Sequence, residues 1–91
     1  MNFGYDPDKN RWLLENRGIG FEEVIEAIDS GVKIVEDVNH FNKTKYPNQR
    51  IFILRIRNYI FMVPYVIDRK RNVKFLKTIY ANRKLKKKYL K

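Results

Sequence analysis

Phe21, Val24, Ile25 and Ile28 recur at i, i+3, i+4 and i+7, with Glu22, Glu23, Glu26 and Asp29 away from that stripe. The spacing predicts an amphipathic helix with one face toward a core, acids in its first turn where the dipole favours them, and Gly31 closing it. Upstream, Phe3 and Tyr5 alternate with polar neighbours and stop at Asp6-Pro7. That predicts a short strand and then a helix over 7–17, with Asp6 as N-cap, Pro7 at its first position and Gly18 as the left-handed residue that ends it. Past the second helix the period shortens to two. Residues 32–38, 50–57, 59–67 and 73–80 are runs rich in β-branched and aromatic residues and are predicted as strands, the middle pair forming a hairpin about Asn58. Residues 39–49 are polar, contain Pro47 and are predicted as an exposed loop. The tail over 81–91 places Ala81, Leu85 and Tyr89 on one helical stripe with Arg83, Lys84, Lys86, Lys87 and Lys88 around it.

The order β-α-α-β-β-β-β-α predicts an α+β fold of two layers: a small antiparallel sheet with two N-terminal helices on one face, and a C-terminal basic helix. With 91 residues there is one core and one domain over 1–91. Along 50–57 the alternation turns Phe52, Leu54 and Ile56 to the core and Ile51, Ile53, Arg55 and Arg57 to the opposite face. Arg50 has core-side parity but stands at the strand's start, where a long side chain reaches the rim. Pro64 has no ladder donor, so its strand has an edge or a bulge there.

Charge changes the picture more than composition does. Lys and Arg number 20 against 10 Asp and Glu, for a net charge of +10, and the excess is polarised. Residues 1–40 hold nine acids and four bases, whereas residues 41–91 hold one acid and sixteen bases. A polyanionic partner is expected. With 44% hydrophobic residues, the chain is no disordered basic tail. The absence of cysteine excludes disulfides, thiol nucleophiles, thiolate zinc sites and iron–sulfur clusters. His40 is the one histidine, so neither a His pair nor a multi-histidine metal site can form. No metal and no cofactor are expected. The start of the chain lacks a signal-like pattern and the longest mostly apolar stretch, 59–67, is too short to span a bilayer, so a cytoplasmic protein is expected. Leu85, Tyr89 and Leu90 offer too little apolar area to anchor the tail on a membrane.

In the basic half, cations alternate with flat rings. Cations neutralise phosphates and rings stack on unpaired bases, a mixture suited to single-stranded nucleic acid. The residues expected to contact RNA are Lys45, Tyr46, Arg55, Arg57, Tyr65, Lys77, Tyr80, Lys84 and Lys87. Guanidinium groups match phosphate oxygens in pairs and stabilise a developing phosphorane. Arg50 and Arg83, with Arg17 and Lys9 if the helix end faces the sheet, are the candidates for that role. The proton-transfer groups stay open among His40, Glu22, Glu23, Tyr65, Tyr80 and a lysine of lowered pKa.

Phe3-Gly4-Tyr5-Asp6-Pro7-Asp8-Lys9-Asn10, followed by Asn16-Arg17-Gly18-Ile19-Gly20-Phe21-Glu22-Glu23-Val24, resembles the F-x-[WY]-D-x-x-K-x … K-H-G-I-x-F-E-E-A pattern of BrnT-type toxins. The similarity extends more loosely through residues 45–50 and 77–84. The resemblance implies a RelE-like fold and a type II toxin–antitoxin component: a metal-independent endoribonuclease neutralised by a cognate antitoxin that also binds DNA. Lys9 falls on the matching family position. Where the family pattern has Lys-His-Gly, this chain has Asn16-Arg17-Gly18, and a guanidinium does not serve as a base near neutral pH. A non-catalytic nucleic-acid-binding or regulatory module on the same scaffold is the alternative reading.

Overall fold

The computed structural model describes residues 2–31 and 33–89. In chain order it contains β1 (Asn2–Gly4), α1 (Pro7–Arg17), α2 (Phe21–Ser30), β2 (Ile34–Asn39), β3 (Gln49–Ile56), β4 (Tyr59–Asp68), β5 (Val73–Leu76), β6 (Tyr80–Ala81) and α3 (Arg83–Tyr89). Val32, the expected first residue of β2, and Leu90 and Lys91, at the end of the expected tail helix, lie outside the described residues.

The two N-terminal helices form where the sequence places them. Asp6 accepts from the Asp8 N–H at 2.9 Å, Pro7 opens α1, and Gly18 ends it at φ 69°. The start of α2 has no capping side chain of its own. Asn10 of α1 supplies one, accepting from the Phe21 N–H at 2.7 Å. A β-carbon at Gly20 would lie 2.8 Å from that Asn10 oxygen and 2.9 Å from Leu14, so glycine is what lets the two helices close on each other.

The strands form one sheet in the order β1-β5-β4-β3-β2, with β6 also paired to β4. Every pairing is antiparallel except β1 with β5. The sheet is therefore mixed, which corrects the all-antiparallel expectation: β1 leaves through two helices rather than a turn, and nothing ties its direction to a neighbouring strand. Arg57 and Asn58 both adopt left-handed φ, 54° and 58°, forming the two-residue turn between β3 and β4. Arg57 thus leaves the strand, contrary to its expected place beside Arg55. Its guanidinium reaches back to α2, where both ends of the Glu23 carboxylate accept from it, and it also donates to the Gly18 carbonyl at 3.0 Å.

The expected two layers become three. Leu13, Phe21, Val24 and Ile28 of α1 and α2 pack on Phe52, Leu54, Val63, Tyr65 and Leu76. On the other face, Ile51, Ile53, Ile60 and Met62 are at most 1% exposed, beneath Leu85 and Tyr89 of α3. The face expected to be basic is instead a second core. Its physical cause lies in β3 and β4: four large apolar residues side by side make a patch that water disfavours, and the apolar stripe of α3 helps to cover it, along with Val35, Val38 and Tyr80.

One strand pairing is interrupted, and the interruption is informative. Tyr65 pairs with Leu76 and Met62 with Tyr80, so three residues, Lys77 to Ile79, stand opposite two, Val63 and Pro64. The Pro64 carbonyl accepts from the Lys77 N–H at 2.8 Å. In a strand the N–H and C=O of one residue point to the same side, so the missing donor of Pro64 also faces this gap. The extra residue also changes parity. Leu76 joins the core under α1 and α2, while Tyr80 turns to the α3 side. The run expected as one strand over 73–80 is therefore two.

Truncation of the second core tests the three-layer arrangement. Ile53→Ala should cost about 2–5 kcal/mol in urea unfolding, comparable to Leu13→Ala in the first core. An Ile53 variant within ~0.5 kcal/mol of the parent protein would mean that α3 does not cover this face.

Candidate nucleic-acid interface

The parity change at Tyr80 creates a cleft of about 360 Å³, walled by His40, Tyr46, Lys77 and Tyr80, with Gln49, Pro64 and Thr78 completing it. Its walls come from the 40–48 loop on one side and the interruption between β5 and β6 on the other. Asn42 organises the loop: its N–H donates to His40 Nδ1 at 3.0 Å, its carbonyl accepts from Tyr46 N–H at 2.9 Å, and its side chain accepts from Lys45 N–H at 3.0 Å. The His40 backbone is held by the Gln49 carbonyl at 2.9 Å. These bonds bring the His40 and Tyr46 rings to 4.5 Å between centroids, with Lys45 Nζ 5.3 Å above the Tyr46 ring.

Chemically the cleft is a place for a flat ring and an anion. Tyr46 and Tyr80 are half-buried aromatic walls and Lys77 an exposed ammonium group. Burial, and then the neighbouring Tyr46, push the Tyr80 hydroxyl above the usual tyrosine range, so it stays a neutral donor. Because Nδ1 accepts from the Asn42 N–H, Nε2 is the ring nitrogen of His40 left to donate to a ligand. No carboxylate lines the cleft among the described residues.

A second concavity, about 440 Å³, borders the same strand β6 and is lined by Arg17, Ile19, Phe61, Ile79, Tyr80 and Ala81. Arg17 donates to the Ile79 carbonyl, fastening the end of α1 to the interrupted segment. Its guanidinium lies 5.0 Å over the Trp12 ring, and Lys9 Nζ lies 4.5 Å from the same ring. Arg83 and Lys87 stand beyond β6 at α3, and Lys84 is exposed on that helix.

Of the residues read from the sequence, Tyr46, Lys77 and Tyr80 share the cleft, Lys45 backs it, and Arg17, Arg83 and Lys87 border β6 or the helix that follows. Arg55 is exposed on β3, outside the cleft. Three residues are turned to other uses. Arg57 is bound to Glu23 and the Gly18 carbonyl. Arg50 donates from each of its three nitrogens: to Asp37 Oδ1 and the Tyr65 hydroxyl at 3.2 Å, to Asn39 at 2.9 Å and to the Asp37 carbonyl at 2.8 Å. The bond to Tyr65 and then the charge of Asp37 raise its pKa against the opposing effect of burial. Tyr65, expected as a stacking residue for RNA, is 1% exposed. It has the parity of Phe52, stacks on that ring at 4.3 Å and donates to Asp37 Oδ1 at 2.6 Å. Sequence reasoning missed Thr78 and Gln49 as cleft residues; the signal was Pro64, whose missing N–H marks where pairing stops.

Compared with known proteins, the chain matches no family model, no curated protein and no solved structure.

The Tyr65 network predicts a pH dependence. Burial first, then the bond to Asp37, pushes the hydroxyl up to about 12 from an ordinary 10. As pH rises past 10 the unfolded tyrosine releases a proton that the folded one keeps, so stability is complete below pH 10 and declines toward 12, by up to about 1.4 kcal/mol per pH unit. The stability difference between the parent protein and Tyr65→Phe, measured by urea unfolding, should shrink over this window. A constant difference would place the hydroxyl in solvent.

Proposed function

We propose that this chain binds single-stranded RNA along the β6 edge and cleaves it without a metal, as an endoribonuclease toxin of the BrnT type with a RelE-like fold, acting in the cytoplasm and held in check by an antitoxin. One observation carries the reading. His40, Tyr46, Lys77 and Tyr80, drawn from two segments far apart in sequence, converge on one cleft beside a lysine-rich helix. The combination matches what an unpaired nucleotide offers: a base to stack and a phosphate to neutralise.

In such a reaction the 2′-hydroxyl gives its proton to water and attacks the adjacent phosphorus, the bond to the 5′-oxygen breaks, that oxygen takes a proton from water, and a 2′,3′-cyclic phosphate and a free 5′-hydroxyl result. Tyr46 and Tyr80 orient the base, and the Lys77 ammonium offsets the charge that grows on the phosphorane. The proton on His40 Nε2 and the Tyr80 hydroxyl serve as hydrogen-bond donors to its oxygens. Arg17 and Arg83 attract the strand to the same edge from either side of β6, and Lys9 adds to the charge around Trp12. The net charge of +10 also suits an acidic antitoxin segment laid over this surface.

A second reading, an RNA-binding module without turnover, is favoured by one feature: among the described residues no carboxylate lines the cleft, and His40 Nδ1 is already engaged by the Asn42 N–H, which leaves no free base to take the proton of the 2′-hydroxyl.

Incubation with unstructured RNA in EDTA separates these. Cleavage products ending in cyclic phosphate, reduced ~10²-fold in Lys77→Ala, support the nuclease. Retention of RNA with no product at any protein concentration establishes the binding module instead. The absence of salt-dependent RNA binding contradicts both, since each contacted phosphate should contribute about −0.7 to the slope of log affinity against log salt.

A further inference from the structure

A separate concavity, about 510 Å³, lies where α3 meets the start of β4, and it is lined by Tyr59, Arg83, Lys86 and Lys87. Its volume is in the range of sites that hold small organic ligands. Lys86 Nζ stands 4.6 Å over the Tyr59 ring, and that ring lies 5.8 Å from Phe61. Three cations and one aromatic ring line it, and among the described residues no acid does. From this composition we infer that the Tyr59 pocket is a second nucleotide subsite, continuous with the Tyr46–Tyr80 cleft, so that one RNA strand occupies both; this rests on the RNA-binding reading above.

The segment that links the two sites supports a single track. Lys77, Thr78 and Tyr80 line the cleft, Ile79 and Ala81 line the concavity beside Arg17, and Arg83 lines the Tyr59 pocket. The course of this segment is fixed at both ends: Lys77 N–H donates to Pro64, and Asn82 N–H donates to the Ile60 carbonyl at 3.2 Å. The Asn82 side chain accepts from Leu85 N–H at 3.0 Å and so starts α3 in a set direction. At roughly 3.3 Å per residue the path from Lys77 to Arg83 is at most about 20 Å, the reach of about six stacked nucleotides at ~3.4 Å each.

An acidic protein segment is the other polyanion that three cations could hold. The structure favours the nucleotide, because the apolar stripe of α3 is already committed: Leu85 and Tyr89 lie on the second core. What remains outside is charge and a ring, which suits a ligand of repeated phosphate and flat base more than an amphipathic helix that must bury apolar side chains.

The test is fluorescence anisotropy of the full chain at about 50 mM salt with labelled uridine oligonucleotides of three and eight residues, in EDTA and with 2′-O-methyl sugars so that cleavage cannot intervene. The eight-residue strand should bind at least tenfold more tightly than the three-residue one, which the two-ring cleft accommodates alone. Tyr59→Ala should remove roughly five- to 150-fold of the longer strand's affinity, and Lys86→Ala with Lys87→Ala should flatten its salt slope by about 1.4. Both should leave the three-residue strand within twofold. Tyr59→Phe keeps the ring and should bind like the parent protein, which separates stacking from loss of fold. Equal affinity for both lengths, or unchanged affinity in both variants, overturns the second subsite while leaving RNA binding intact. No binding of either strand overturns the RNA reading and the subsite together. Competition by an octaglutamate peptide that depends on Lys86 and Lys87 but not on Tyr59 overturns the assignment in favour of an acidic protein partner.

Discussion

The missing N–H of Pro64 organises this molecule. A proline inside a central strand deprives one neighbour of a ladder bond, and it is tolerated at an edge or a bulge, where no carbonyl waits for that bond. In this sheet the neighbouring segment bulges away: beyond the bond from Lys77 N–H to the Pro64 carbonyl the ladder stops, β5 ends at Leu76, β6 begins at Tyr80, and three residues bridge the space opposite two. The extra residue sends Ile79 into the core under α1 and α2 and turns Tyr80 to the α3 side. From one unpaired position come the cleft, the placement of Lys77 at its mouth, and the carbonyl that Arg17 grips.

Two packed faces hold that irregularity in place. The sheet carries helices on one side and α3 on the other, and the apolar residues of β3 alternate between the two cores, Phe52 and Leu54 to one, Ile51 and Ile53 to the other. A strand buried on both faces cannot slip by one residue without exposing every side chain it buries. The ion pair of Arg57 with Glu23 and the bonds of Arg50 to Asp37, Asn39 and Tyr65 tie the two ends of β3 to α2 and β2. Each is partly exposed and is worth little alone; the Arg50 bonds to Asp37 and Asn39 sit where β2 gives way to the 40–48 loop.

Much of this was legible in the sequence. Helices α1 and α2 follow from caps and a 3.6-residue stripe, and the β3–β4 hairpin from two β-rich runs around Asn58. The assignment of cations to faces was not legible. Period-two counting put Arg57 beside Arg55, but a two-residue turn with left-handed φ at Arg57 removes it from the strand. The same counting made Ile51 and Ile53 neighbours of a solvated face, because it carries no information about whether a later segment, α3, returns to cover them. Tyr65 looked like a stacking residue for want of knowing that Phe52 lies under it. The site was half legible: Tyr46, Lys77 and Tyr80 stood out as rings and cations, yet only the pairing gap at Pro64 explains why they meet.

The most direct test of the account is an amide map of the protein titrated with a uridine octamer. Shifts should gather in residues 40–46 and 77–87, with β1, β5 and the Arg50 network quiet. Perturbations centred instead on Arg69–Arg71 and Lys74, or spread evenly over every basic residue, would contradict the claim that the break at Pro64 builds the binding surface.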